Sequence, residues 1–407
     1  MFDRAFIADP YPKYHEWLEN GRLFWSPDFF GGAWVVPHYK DNIELLRDSE
    51  RLTTEKAGGL VSQFPLEYQA ELRSLDEYLA RWLAFIDPPK HVRIRRLLQK
   101  GFTLEVLNSF RPRVQQIVNT LLEQNMAEGK LDMISEFAYF LPVSVVCAML
   151  GVPDKDHATF VHWMDELAMF LGNASPTVEA ARHAKDALDK LTNYFRELLP
   201  ERRKHAGQDL ISLLVAAEEQ GEVLSEEELY AQCVFFLFAG HETTSNLIGN
   251  GLFCLLRHPD QLALLNARPT LTPGFIEEAL RYEGPMQYTF RMARHDFALF
   301  GHSIKKGQIL VFLFGAANRD PAVFSEPDTF DITQKRPSHL TFGYGLHHCI
   351  GAATARMEAE ITFSTLLSRT SNIHLLTSNP EWRDVFRFRG LKSLSVQFDA
   401  REDNMFI

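Results

Sequence analysis

The sequence has few cysteines: it contains four among 407 residues, and no two of them form a CxxC pair. Such a small number excludes a disulfide framework, and the missing CxxC pair argues against a structural zinc site. Cys147, Cys233 and Cys254 lie in apolar helical runs, where a cysteine usually serves as a small core residue. Cys349 has different neighbours and is the cysteine to which a chemical role can be assigned.

Positive charge is also scarce. Lys and Arg total 42 against 53 for Asp and Glu, so the formal net charge is −11. Because phosphate binding needs a surplus of Lys and Arg, nucleic acid is not expected as a partner. The first twenty residues carry several charges, and the most apolar stretch, 231–256, contains His241 and Glu242 near its middle. We therefore expect a cytoplasmic protein without a membrane anchor.

Internal repeats, low-complexity tracts and Gly/Ser-rich linkers are absent, which favours one domain over residues 1–407. The sequence contains no GxGxxG motif, no P-loop and no βαβ alternation. Nucleotide binding through those motifs is therefore not expected. A hydrophobic fraction of 46% still allows a large core that encloses a cavity.

Helical periodicity dominates residues 90–281, with clear examples at 114–126 and 180–199. The longest helix is predicted over 226–257. Ser225 and Glu228 form a capping box at its start, and it should end at His258 because a residue before proline resists the helical conformation. Its length of roughly 45–50 Å would cross the whole molecule.

Strand patterns are short and few, and several are separated by turns that contain glycine. They are predicted at 33–36, 297–300, 309–313 and 394–398. The fold class expected from the sequence is therefore mainly α with small β-sheets.

Residues 342–352 read FGYGLHHCIGA and precede a helical pattern over 352–367. Glycines allow positive φ angles and close approach of the backbone to a flat group, and a helix N-terminus favours a thiolate. His347 and His348 adjoin Cys349, but no distant pair of ligands completes a zinc site. This loop resembles the haem-ligand signature FxxGxxxCxG of the cytochrome P450 family.

The resemblance implies the cytochrome P450 fold, with the long helix over a buried haem b and Cys349 as the axial ligand of its iron. A thiolate ligand favours cleavage of the O–O bond. Phe342, Gly343 and Gly351 are implied to contact the cofactor. His348 either has no special role or tunes the thiolate.

Other segments match the family in the expected order. Glu278 and Arg281 lie three residues apart on one helix face and resemble its structural ExxR pair. Related sequences often carry an arginine where Gln334 stands, so the third partner of the pair is open between Lys335, Arg336 and His339.

Four basic residues match positions that bind the haem propionates in the family. His91 and Arg95 resemble its HxxxR motif, and Arg291 and His347 match two further contacts. The alternative for each of them is an ordinary surface charge. Because propionates are anionic, buried cations are expected to converge on them.

The run AGHETT at 239–244 resembles the family's oxygen-activating motif, in which the long helix opens locally over the iron. The resemblance assigns Thr243 and Glu242 to proton delivery during dioxygen activation, and Ala239 and Gly240 to cofactor contact. The alternative is a threonine bonded back to a helical carbonyl and a glutamate that reaches solvent.

The acid–alcohol pair favours external electrons, which we expect from a separate ferredoxin or flavodoxin with its reductase. An acidic redox partner would be attracted to a basic cluster formed by Arg93, Arg95, Arg96 and Lys100.

The resemblance also indicates an apolar, aromatic substrate pocket, although core packing is an alternative for each of its residues. The expected wall comprises Phe85, Phe235, Phe238, Met286, Phe290 and Phe386, with Gln287, Tyr288 and Thr289 as polar anchors. These features predict a monooxygenase that hydroxylates or epoxidises a lipophilic, polyketide-like molecule. The alternatives are desaturation, oxidative coupling or peroxygenation on the same fold, or a haem sensor without turnover.

Overall fold

The structure is a computed structural model that describes residues 2–55, 60–173, 176–205, 207, 209–219 and 224–401. Most of the described residues are helical, and the strands form three small sheets, as the sequence predicts. None of the helices in these ranges is long and apolar enough to span a membrane.

The helices are numbered along the chain, and most are amphipathic or buried. They are α1 (Arg4–Ala8), α2 (Tyr11–Glu19), α3 (Tyr39–Leu46), α4 (Leu66–Leu79), α5 (Lys90–Gln99), α6 (Leu104–Met126), α7 (Phe140–Met149), α8 (His157–Gly172), α9 (Val178–Lys204), α10 (Leu210–Glu219), α11 (Glu226–Arg257), α12 (Pro259–Ala267), α13 (Thr272–Tyr282), α14 (Phe314–Ala317) and α15 (Ala352–Arg369).

The strands are short, and their order in the sheets brings distant parts of the chain together. They are β1 (Phe24–Ser26), β2 (Ala33–Val36), β3 (Leu52–Thr53), β4 (Lys130–Asp132), β5 (Thr289–Ala293), β6 (Phe297–Leu299), β7 (His302–Ile304), β8 (Ile309–Phe312), β9 (Thr370–Leu375) and β10 (Ser395–Ala400). The sheets have the orders β1-β2-β8-β5-β3, β4-β10-β9 and β6-β7.

The larger sheet pairs the N-terminal region with the C-terminal half. Strand β2 runs parallel to β8, and β5 is antiparallel to both β8 and β3. In register, Thr289 lies opposite Phe312 and Arg291 lies opposite Leu310. This pairing fixes β5, and with it the side chains that β5 contributes to the cavity described below.

Helix α11 has the predicted bounds, and its capping box is present. The Ser225 hydroxyl accepts a hydrogen bond from the Glu228 amide at 3.2 Å, and the Glu228 carboxylate accepts one from the Ser225 amide at 3.1 Å. Two predicted helices are longer than expected: α6 starts at Leu104 and passes through Pro112, and α9 extends to Lys204. The extra turns of α6 place Leu107 in the apolar core, and in the last turn of α9 Arg202 donates to the Gly151 carbonyl.

Two apolar clusters meet along α11. Residues between Leu229 and Phe238 belong to a cluster with α4, α8 and α9, whereas Leu247 to Leu255 belong to one with α6, α7, α13 and α15. The polar run of α11 lies at the junction of the two clusters. Its side chains therefore sit in the centre of the molecule, where a buried polar group needs a partner.

Candidate active site

The cavity at this junction is lined by side chains from α5, α11, β5, α15 and the cysteine loop, defined as residues 342–351. The residues assigned from the sequence to the cofactor and to proton delivery all line it: His91, Arg95, Ala239, Gly240, Glu242, Thr243, Arg291, Phe342, Gly343, His347, Cys349 and Gly351. Segments separated by up to about 260 residues in the chain thus converge on one site.

The cysteine loop is held in a compact turn in front of α15. The Cys349 amide donates to the Phe342 carbonyl at 2.8 Å, and the His348 amide donates to Gly345 at 3.1 Å. Gly343 and Gly345 have φ angles of +72° and +74°, which L residues rarely adopt. The turn presents Cys349 to the cavity directly before the helix begins.

Desolvation by the surrounding protein raises the pKa of the Cys349 thiol. The Gly351 amide and the cations of Arg95 and Arg356 act in the opposite direction but do not outweigh burial. The Gly351 amide and the two arginines therefore favour a thiolate at this position, and desolvation opposes it. A metal ion that binds the sulfur would supply the missing stabilisation.

Basic groups without a carboxylate at hydrogen-bonding distance gather beside the cysteine loop. His91 is 1% exposed, neither of its ring nitrogens has a partner, and its ring centroid lies 4.3 Å from that of His347. Burial lowers the pKa of His91 to about 4 and that of His347 to about 3. Unpartnered buried nitrogens are costly unless another group binds them.

Two arginines complete this basic group. Arg291 donates to the Phe290 carbonyl at 2.8 Å, and burial lowers its pKa to about 10. Arg95 donates to the His348 carbonyl at 2.7 Å. The nearest carboxylate, Asp87, is already bound by Thr53, Thr54 and Arg294. The donor set therefore fits the two propionates of a haem, and the open surface of the loop fits its flat ring.

The predicted structural pair is buried behind the cysteine loop. Arg281 donates to both carboxylate oxygens of Glu278 at 2.7 and 2.8 Å, and its remaining donors bind three backbone carbonyls. Arg336 supplies the third partner, because its Nε lies 3.3 Å from Glu278 Oε2. Lys335 is exposed, and His339 instead faces Glu277 at 3.4 Å.

The structure of the polar run of α11, residues 239–244, agrees in part with each of the two interpretations given above. The Thr243 hydroxyl donates back to the Ala239 carbonyl at 2.9 Å, and α11 continues through this run without the expected local opening. Glu242 does not reach solvent: it is 2% exposed, and Arg383 donates to both of its oxygens at 2.9 Å. Burial raises the pKa of Glu242, although Arg383 opposes that effect.

The apolar wall contains most of the expected residues. Those that line the cavity are Phe85, Phe235, Phe238, Met286, Thr289 and Phe290. The Trp82 ring packs behind Phe235 and Phe238, with centroids 5.5 and 5.4 Å away. A molecule in this cavity meets mainly aromatic surface.

Gln287 and Phe386 do not line the cavity, so the sequence-based expectation for them is corrected. The Gln287 amide accepts a hydrogen bond from the Tyr14 hydroxyl and donates to the Gly284 carbonyl at 2.6 Å. Phe386 packs against Phe2 and Phe6, with ring centroids 4.7 and 4.9 Å away. Tyr288 belongs to the same aromatic cluster. These side chains fill a separate core between the N-terminal helices and β5.

Two charged residues of the cavity wall were given no role from the sequence, which shows no motif around either, although the turn at 386–388 was expected to line the pocket. Arg387 lines the cavity beside Phe388, and its Nε has no hydrogen-bond partner. Glu358, on α15, is 2% exposed, and its Oε2 also lacks a partner. Burial raises the pKa of Glu358 to about 8.

The basic cluster predicted on α5 is smaller than expected. Arg93 donates to Glu228 at 2.8 Å, and Arg95 faces the cysteine loop. Arg96 and Lys100 remain exposed at the end of α5. These two side chains therefore contribute positive charge to the surface beside the site.

Comparisons with known proteins agree with the fold and the site described above. A family model described as cytochrome P450 matches residues 64–373. The chain is 40% identical over 400 residues to cytochrome P450 monooxygenase PikC of Streptomyces venezuelae, covering 97% of this chain and 92% of that protein.

Solved structures agree over nearly the whole length. P450BioI, in complex with an acyl carrier protein ligated to hexadec-9Z-enoic acid, matches with a TM-score of 0.90 and 34% identity, covering 97% of this chain and 99% of that one. The bacillaene polyketide synthase cytochrome P450 PksS of Bacillus subtilis 168 matches with a TM-score of 0.86 and 32% identity, covering 98% and 99%. The chain belongs to the cytochrome P450 family of monooxygenases, whose cofactor is haem b.

Proposed function

We propose that this protein hydroxylates or epoxidises a lipophilic small molecule, using dioxygen and electrons from a separate ferredoxin or flavodoxin with its reductase. The observation that carries the proposal is the pairing of Glu242 and Thr243 with Cys349 across one largely apolar cavity. Haem b, when bound through Cys349, supplies the oxidising chemistry.

The chain's own residues hold that cofactor and orient it. Cys349 is the proposed iron ligand, and His91, Arg95, Arg291 and His347 are the proposed partners of the propionates. Both ring nitrogens of His91 are buried without an acceptor, and burial lowers the pKa of Arg291, so an anionic partner is favoured at this place over water.

Proton supply is proposed to run through the charged groups next to α11. Arg383 binds Glu242 at 2.9 Å and lies 3.5 Å from Asp165, whose side chain is 35% exposed. Arg383 thus holds Glu242 of the cavity wall near the partly exposed Asp165, and its guanidinium positions the two carboxylates without carrying the proton itself. Glu242 would pass a proton towards the Thr243 hydroxyl, which delivers it inside the cavity. An alternative haem sensor has no use for such a path.

The proposed substrate is a polyketide-like or acyl intermediate. The aromatic wall supports a lipophilic molecule, and the similar proteins P450BioI and PksS are described with an acyl carrier protein and with a polyketide synthase, respectively. Product analysis after incubation with such intermediates would show whether oxygen is inserted or whether desaturation or coupling occurs instead.

The first test is the carbon monoxide difference spectrum of the reduced, haem-loaded protein beside a Cys349→Ser variant. A strongly red-shifted Soret band that disappears in the variant supports thiolate ligation. Thr243→Ala should then release peroxide and lower the product formed per electron. A histidine-like Soret band in the folded, haem-loaded protein contradicts the proposal.

The redox partner is tested separately. Arg96→Glu combined with Lys100→Glu should slow reduction by an acidic partner and weaken its dependence on salt. Lys185→Glu combined with Lys190→Glu, on the surface of α9, is the matched control. Unchanged reduction kinetics in the first variant would exclude docking at the end of α5.

A further inference from the structure

One cation of the cavity wall has no role in the functions described so far. Arg387 follows Phe386 in the segment that leads to β10, and its guanidinium lies between the rings of Phe290 and Phe388, 5.4 and 5.3 Å from their centroids. Its Nη1 donates to the Leu171 carbonyl at the end of α8, at 3.1 Å. Its Nε is buried and has no hydrogen-bond partner. The guanidinium is therefore held in place while keeping donors unused.

The neighbouring arginines of the same segment differ from Arg387 because each has a carboxylate partner. Arg383 is neutralised by Glu242 at 2.9 Å, and Arg389 is neutralised by Glu283. In the described part of the chain, no carboxylate forms an ion pair with Arg387. Desolvation by the surrounding protein lowers the pKa of Arg387, and only the Tyr288 hydroxyl, not a carboxylate, acts against that effect among the described residues. A cation whose Nε is buried and has no partner is costly, and an anion that binds it from the cavity removes that cost.

The haem propionates do not account for Arg387 in this arrangement. Three of their proposed partners, His91, Arg95 and His347, belong to α5 and the cysteine loop. The fourth, Arg291, lies on β5 next to Phe290, and the positive charge of Arg387 acts on it. Arg387 is fixed instead by α8 and by the aromatic rings of the substrate wall. Its surroundings are those of the proposed substrate.

We propose that Arg387 determines specificity by binding the carboxylate of an otherwise apolar substrate. This inference rests on the proposed function and narrows its substrate class to lipophilic carboxylic acids. The planar guanidinium can donate two parallel hydrogen bonds to a carboxylate, and the rings on either side exclude water from that contact. The rest of the molecule lies against Phe238, Met286 and Phe290.

The inference is tested by calorimetric titration of the haem-loaded protein with dodecanoic acid, methyl dodecanoate and dodecanol, which share one chain and differ in the head group. The acid should bind about 10- to 100-fold more tightly than the ester or the alcohol. Arg387→Gln should abolish this preference while leaving the affinity for the ester within about twofold. Arg387→Lys should retain part of it. Arg268→Gln, an exposed arginine at the end of α12, should behave as the wild type.

Equal affinity of the wild type for acid and ester, or an unchanged preference in Arg387→Gln, overturns the inference. So does loss of haem from Arg387→Gln, because the guanidinium would then serve the cofactor. These readouts do not depend on turnover. A failed carbon monoxide spectrum with an intact acid preference would instead reject the proposed function alone.

Discussion

Glu358 offers the sharpest test of the electrostatics of the site. It lies on the buried face of α15, and its Oε2 has no partner. The hydroxyls of Thr354 and Thr362, one helical turn away on either side, are also without partners. Burial raises the pKa of Glu358 from 4.5 to about 8. The residue is therefore protonated in the folded protein at neutral pH and ionised in the unfolded chain.

The raised pKa determines how the contribution of Glu358 to stability depends on pH. A carboxyl group whose pKa is raised on folding does not destabilise the protein below pH 4.5, and its cost grows as the pH rises towards 8. Each pH unit between 4.5 and 7 adds about 1.4 kcal/mol, so the cost at pH 7 is about 3 kcal/mol. Glu358→Gln removes this cost, because glutamine is neutral and can donate to the two threonine hydroxyls.

The assay is thermal unfolding of the haem-loaded protein at pH 5 and pH 7. At about 2.1 cal/mol/K per residue over 407 residues, about 3 kcal/mol corresponds to a rise in Tm of about 3.5 °C at pH 7. At pH 5 the gain should be under about 1 °C, because less than about 1 kcal/mol is involved. Glu360→Gln, which loses only an exposed ion pair with Arg111, should change Tm by less than about 1 °C at both values. A gain in the Glu358 variant that does not grow with pH, or a loss of stability at pH 7, would refute the reasoning.

Three further substitutions test other parts of the structure. Ser225→Ala should lower the free energy of unfolding by about 1 kcal/mol through loss of the α11 cap, whereas Ser225→Thr should retain most of the stabilisation by the cap. Denaturant unfolding compares the variants, and equal stability of Ser225→Ala and the wild type would contradict the role of the cap. Arg336→Gln should destabilise the protein by about 1–3 kcal/mol because it withdraws a cation from buried Glu278, and Lys335→Gln, which is exposed, should not. Arg383→Gln should raise the pKa of Glu242 further and move the alkaline limb of the pH–activity profile to higher pH, because Glu242 must be protonated to pass a proton on. An unshifted alkaline limb would mean that Glu242 does not supply the proton.

The parts of the fold that the sequence predicts best are those with local signals. The bounds of α11 follow from the capping box at Ser225 and from the proline after His258. The cysteine loop follows from its glycines, two of which have positive φ angles in the structure. Helix α6 starts earlier than predicted: Pro112 interrupts the pattern, but Leu107 and Phe110 before it pack into the same apolar cluster as Val114.

The substrate wall was harder to predict, because aromatic residues do not indicate in the sequence which cavity or core they face. Phe290 lines the cavity, whereas Phe386 is taken up by rings from the first helices, Phe2 and Phe6. That contact joins residues about 380 positions apart. Gln287 is likewise satisfied by Tyr14, which lies 273 residues away. The sequence around Phe386 and around Gln287 contains no pattern that indicates these distant partners.

The buried charges show most directly why the sequence motifs do not reveal the whole site. Arg383, Arg387 and Arg389 lie within seven residues, and nothing in that segment distinguishes one arginine from another. The distinction comes from glutamates elsewhere: Glu242 on α11 neutralises Arg383, and Glu283 after α13 neutralises Arg389. Arg387 receives no such partner and faces the cavity instead. Because a buried charge costs least when it is paired, the arginine that the fold leaves unpaired is the one available to a ligand.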